Sequence, residues 1–208
     1  MTDDLLDRIC RDLALQGAHT ILLYGSRADG SANAHSDYDV AAFAPVDRTR
    51  RDTRVVDDCF LDVFVHPDDV LARPVNRDVL PLRGSLILMQ RNDDATRFLA
   101  SLDELYRRGP ERLPDDEIRA RDAWARKMAL RARRGDIEGD YRRAWLLTAL
   151  LDDYFVTRGR WFEGPKKSLE WLRVNLPALH HAFEVALRPG ASVESIDELV
   201  DLATCRTR

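Results

Sequence analysis

Cysteine is scarce in this chain of 208 residues: Cys10, Cys59 and Cys205 are odd in number and far apart. Their spacing excludes a disulfide scaffold and a cysteine-based zinc centre, and leaves reduced thiols. The five histidines show no metal-binding spacing either. Lysine is as rare, with Lys127, Lys166 and Lys167 standing against 29 arginines, so the adjacent pair draws notice. No apolar run approaches the roughly 20 residues that cross a bilayer. The opening MTDDLLDRIC is acidic, where a secretion leader is basic and then apolar. No membrane association and a cytoplasmic location are therefore expected. An excess of positive charge is missing too: the net charge is −4. Residues 1–110 hold 14 arginines against 19 acids, and residues 111–208 hold 18 basic residues against 17 acids. Neither half has the basic surface of a nucleic-acid binder.

What is present is a change of texture along the chain. DDLLDRICRDLALQ (3–16) places Leu5, Leu6, Ile9 and Leu13 at helical spacing, and Gly17 follows as a C-cap. TILLY (20–24), YDVAAF (38–43), CFLDVFVH (59–66) and SLILMQ (85–90) read as strands, rich in Val, Ile, Phe and Tyr. RDTRV, before the third of these, reads as a polar turn. Pro67 opens a short helix, and DDATRFLASLDELYRR (93–108) is a longer one ended by Gly109 and Pro110. Beyond Pro114 five helical segments follow, separated by Gly or Pro, with no strand signal. The fold class expected is α+β: a mixed sheet flanked by helices over 1–110, then an all-helical bundle over 111–208. The tryptophans of the second half (Trp124, Trp145, Trp161 and Trp171) are expected in its core.

Chemistry concentrates in YGSRADGSANAHSDYDV (24–40). Asp37 and Asp39 are two residues apart, so on a strand both side chains point the same way. Carboxylates so close raise each other's pKa unless a cation lies between them. The common partner of an all-oxygen pair is Mg²⁺, which also takes substrate phosphates. Asp62 interrupts an apolar strand, where an unpaired charge is costly; a strand lying beside 38–43 would bring it to the same place. Gly25 and Ser26 follow a strand and would begin a helix, so their N–H groups and the serine hydroxyl suit a phosphate. Arg27 adds charge for the same phosphates.

Gly25, Ser26, ten residues, then Asp37, Tyr38 and Asp39 resemble the signature of the DNA polymerase β-like nucleotidyltransferase superfamily. The resemblance covers about residues 20–66. It implies that Asp37 and Asp39 bind Mg²⁺, that Asp62 completes the site on a later strand, and that Gly25, Ser26 and Arg27 hold a nucleotide. One departure is Asp29, where small relatives often have Arg. A catalytic core followed by a helical bundle looks like the aminoglycoside nucleotidyltransferases, which move AMP from ATP to a hydroxyl of a cationic antibiotic. That likeness implies Lys166 on the nucleotide phosphates. Asp152 shares a helical face with Tyr141 and Trp145, and a carboxylate beside aromatics suits an ammonium group of an amino sugar. Asp152 and Asp153 are therefore the acceptor-binding candidates, set against an ordinary helix contact with an N–H or Arg. His35, just before Asp37, reads as an ordinary loop residue. The expected protein is an adenylyltransferase with Mg²⁺ and ATP, a small-molecule acceptor and a monomeric or homodimeric state. The alternatives are adenylylation of a partner protein and a nucleotide sensor with degenerate catalysis.

Overall fold

Helix α1 (Asp4–Leu15) forms where Leu5, Ile9 and Leu13 recur on one face, and that face is buried. It leads into β1 (Thr20–Tyr24), a 3-10 turn at Gly25–Arg27, β2 (Tyr38–Ala44), β3 (Arg50–Val56) and β4 (Cys59–Pro67). Two further 3-10 segments, Asp68–Leu71 and Arg77–Leu82, precede β5 (Leu86–Met89) and α2 (Asp94–Arg108). The computed structural model describes residues 4–33 and 36–205, so His35 lies outside the described residues. The chain divides into two units, Met1–Arg108 and Gly109–Arg208.

The first unit is built on one five-stranded sheet in the order β3-β4-β2-β1-β5. Only β2 and β4 run parallel; the other pairs are antiparallel. Alternation along the strands sends Val40, Ala42, Leu61, Val63 and Val65 to the face that α1 covers. Leu22, Ala41 and Phe43 point the other way, against Phe98 and Leu102 of α2. Tyr24 packs on the margin of this second core, and Asp39 and Asp62 leave the sheet on the same face. The α+β class read from the sequence is the class observed.

RDTRV, expected as a polar turn, is a strand. It belongs to β3, the sheet's outermost strand, whose residues are exposed except at Val56. With both faces wet, it shows no apolar alternation, and its charges suit an edge that must not pair with other chains. The hairpin to β4 turns on Asp57 and Asp58, both at positive φ (52° and 61°), with Val56 paired to Cys59. That is the geometry of a two-residue type I′ turn.

The second unit holds, among the described residues, α3 (Asp115–Ala132), α4 (Ile137–Val156), α5 (Gly164–Asn175), α6 (Pro177–Ala186) and α7 (Val193–Thr204). Leu146, Leu150 and Phe155 of α4 pack with Leu172, Phe183 and Leu199 in a single core. Asp136 caps α4 by accepting from the Gly139 N–H at 2.8 Å. The tryptophans do not fill this core. Trp124 and Trp171 pack on its margin, Trp161 is half-buried, and Trp145 is 45% exposed. Aliphatic residues take the buried stripe of α4, and Trp145 falls beside it, edge-on to Trp124 at 5.3 Å. Among the described residues no helix is long and apolar enough to cross a membrane.

Candidate active site

The sheet register places the acids. Asp39 of β2 stands beside Asp62 of β4 in the parallel pair, so both side chains leave the same face. Tyr24 is the antiparallel partner of Asp39 on the other side. Asp37, one residue before β2, is exposed. Burial first, and then the charges of Asp37 and Asp62, push the Asp39 carboxyl above the usual aspartate range. Burial, helped by Asp39 and Asp62, pushes the Tyr24 phenol up to about 12, so it stays protonated at neutral pH.

Gly25 is required by Asp39. Its φ is +70°, and a methyl group built on it would overlap the Asp39 carboxylate and stand 3.1 Å from Cγ. Glycine therefore lets main chain and carboxylate share one place. The helix expected from Gly25 is only a 3-10 turn, Gly25–Arg27, closed by the Ala28 and Asp29 N–H groups on the Gly25 carbonyl. Asp29 accepts from the Ser31 N–H at 3.0 Å, a local turn contact.

Arg27 faces inward. Its Nη2 donates to the Ser36 carbonyl at 2.7 Å, and its Nε reaches the Ser36 and Asp37 carbonyls at 3.1 Å. The guanidinium lies 3.7 Å from the centre of the Tyr38 ring. Arg27 thus fastens the loop onto the start of β2 and fixes the main chain that carries Asp37.

Asp62 is held by a residue that sequence reasoning missed. Arg51 of β3 donates Nε to Oδ1 and Nη2 to Oδ2, both at 2.7 Å. Thr53 is the direct cross-strand partner of Asp62, and Arg51 lies two positions along on the same face, within diagonal reach. The signal was available only to a reading that recognised β3 as a strand. Among the described residues, no three carboxylate, imidazole or thiol groups stand close enough together to hold a metal. The donor types nevertheless suit a hard divalent cation: two carboxylates side by side on neighbouring strands, a third close in sequence, and mutual repulsion that a cation relieves.

The acceptor and phosphate candidates of the helical unit are placed as follows. Asp153 of α4 is ion-paired with Arg121 of α3 at 2.5 Å, and burial pushes its carboxyl up against the pull of that arginine. This is the helix contact with Arg weighed against a substrate role. Asp152 is half-buried on the same helix. Tyr141 and Trp145 are tilted neighbours with ring centroids 6.3 Å apart, and both are exposed. Lys166 and Lys167 lie exposed in the first turn of α5.

No family model matches the chain, and no curated protein matches it. Among solved structures it is similar to a nucleotidyltransferase-like protein from Exiguobacterium sibiricum 255-15. The TM-score is 0.44 at 15% sequence identity, over 94% of this chain and 70% of that one.

Proposed function

We propose that this protein is a nucleotidyltransferase that moves a nucleoside monophosphate, AMP from ATP, to a hydroxyl of a small acceptor of the aminoglycoside type. The observation that carries the reading is the register pair Asp39–Asp62 with Gly25 packed against the Asp39 carboxylate. Asp37, Asp39 and Asp62 would hold Mg²⁺, which when bound supplies positive charge for the α-phosphate and the leaving pyrophosphate. The chain's own residues do the rest. The Gly25–Ser26 turn offers N–H and hydroxyl donors to the nucleotide phosphates. Arg27 keeps Asp37 in place by holding its carbonyl. The acceptor oxygen attacks the α-phosphorus, the bond to the β-phosphate oxygen breaks, and the acceptor proton passes to Asp62. Positioning and preorganised charge carry most of the rate. In the helical unit, Asp152 on the helix of the exposed Tyr141–Trp145 pair suits an ammonium-bearing sugar.

One observation favours a second reading, a nucleotide-binding sensor without turnover: Arg51 neutralises Asp62. ATP labelled at the α-phosphate, with Mg²⁺ and a panel of aminoglycosides, separates the two. Transfer of label to one antibiotic is expected, reduced at least about a thousandfold in Asp39→Asn, with the far-UV spectrum unchanged. Mg²⁺-dependent ATP binding without transfer to any aminoglycoside removes that acceptor class, and absence of transfer to protein acceptors as well favours the sensor. A folded Asp39→Asn protein that transfers label normally removes the metal-site reading.

A further inference from the structure

β3 contributes almost nothing to the core: it is the sheet's edge, and it is exposed except at Val56. Yet it sends one side chain across the sheet face into the acid cluster. Arg51 grips Asp62 with two parallel bonds of 2.7 Å, the geometry that makes Arg–carboxylate pairs strong. Its guanidinium also lies 5.0 Å from the centre of the Phe64 ring, the residue directly opposite it in the ladder. The two partners are unequally exposed, with the Asp62 side chain at 16% and that of Arg51 at 57%. The anion is sunk and the cation is at the surface, so the pair can open outward without any movement of the sheet.

The other arginine of the site behaves differently. Arg27 is engaged on main-chain carbonyls and on the Tyr38 ring, which are permanent fixtures. Arg51 is engaged on a carboxylate, a group for which a divalent cation competes directly. Asp37, Asp39 and Asp62 are three acids, and Arg51 is paired with one of them.

We propose that Arg51 is a displaceable counter-ion, a positioning residue that holds Asp62 while the acid cluster lacks a divalent cation and yields it when the cation arrives. The proposal rests on the reading of Asp37, Asp39 and Asp62 as a metal site. Asp62 is then unavailable as ligand or proton acceptor until the site is loaded, so the acid cluster completes itself only in the presence of the cation. Arginine suits this task because it stays charged at all working pH values and is weakly hydrated when released.

The test is Mn²⁺ binding to the full chain, measured by the electron paramagnetic resonance of free Mn²⁺, for the wild type, Arg51→Ala, Arg51→Lys, Asp62→Asn and the Arg51→Ala/Asp62→Asn pair. Arg51→Ala should bind Mn²⁺ about 3- to 10-fold tighter, the range of a half-exposed bidentate pair. Arg51→Lys should fall between it and the wild type, and the gain should vanish when Asp62 is Asn. A second readout is thermal stability: without metal Arg51→Ala should melt lower than the wild type, and Mn²⁺ should restore more of it than it adds to the wild type. Should Arg51→Ala fail to fold, Arg51→Lys carries the same ordering. Equal or weaker Mn²⁺ binding in a folded Arg51 variant, with binding still weakened in Asp62→Asn, overturns the counter-ion alone. No saturable Mn²⁺ binding in any variant overturns the metal site itself, and the counter-ion with it.

Discussion

Gly25 shapes the site, and His66 the response of the fold to pH. Gly25 holds main chain where any Cβ would collide with the Asp39 carboxylate, and its φ of +70° disfavours other residues independently. Gly25→Ala should therefore push Asp39 off its position. Loss of label transfer by about 100-fold or more is expected, with about 1–2 kcal/mol of stability lost in urea titration. His66 illustrates titration. It is stacked between Phe43 (5.5 Å) and Phe64 (6.0 Å), and burial lowers its pKa from the ordinary 6.5. Above that value neither folded nor unfolded chain holds the proton. As pH falls below it, the unfolded chain takes up a proton that the folded chain refuses, so stability declines until pH reaches the lowered value and is then flat. Urea midpoints between pH 7.5 and 5 should fall less steeply in His66→Gln than in the wild type; equal slopes would refute this assignment.

At the scale of elements, legibility followed burial. TILLY and YDVAAF were readable as strands because they are almost wholly buried, CFLDVFVH because one of its faces is, and the five helices of the second half because Gly and Pro punctuate them. β3 was not, because an exposed edge strand carries no apolar period and is held by its ladder to β4. Missing the strand hid Arg51, since only a cross-strand register brings residue 51 to residue 62. The strand positions of Asp39 and Asp62 were legible because the apolar residues around them mark β2 and β4, and the parallel register then sets the two side by side. Arg27 and Asp153 have partners that the sequence does not disclose, the Ser36 carbonyl and Arg121. The turn that joins β3 to β4 offers a test of the hairpin itself. Asp57 and Asp58 both sit at positive φ, which glycine at the second position suits better than aspartate. Asp58→Gly should stabilise the protein by about 0.5–1 kcal/mol, read as a higher thermal midpoint. A lower midpoint would mean that the Asp58 side chain contributes more than its backbone strain costs.

At the scale of the whole molecule, each unit has its own buried core. The first unit packs α1 on one sheet face and α2 on the other, while the second closes on Leu146, Leu172, Phe183 and Leu199. Every residue of the acid cluster, its glycine turn and its two arginines lies in Met1–Arg108, whereas Asp152, Asp153, Lys166 and Lys167 lie in Gly109–Arg208. A domain with its own core folds alone when that core is large enough, and both units are within the usual size range. Residues 1–108 expressed alone should unfold in one cooperative transition and bind Mn²⁺ within about threefold of the full chain, because no carboxylate of the site has been removed. The same fragment should transfer no label to an aminoglycoside, since the acceptor candidates are gone. A folded fragment that still modifies the antibiotic would place acceptor recognition in the sheet unit and relieve Asp152 of its proposed role. A folded fragment that no longer binds Mn²⁺ would mean that residues 1–108 do not make a cation site by themselves.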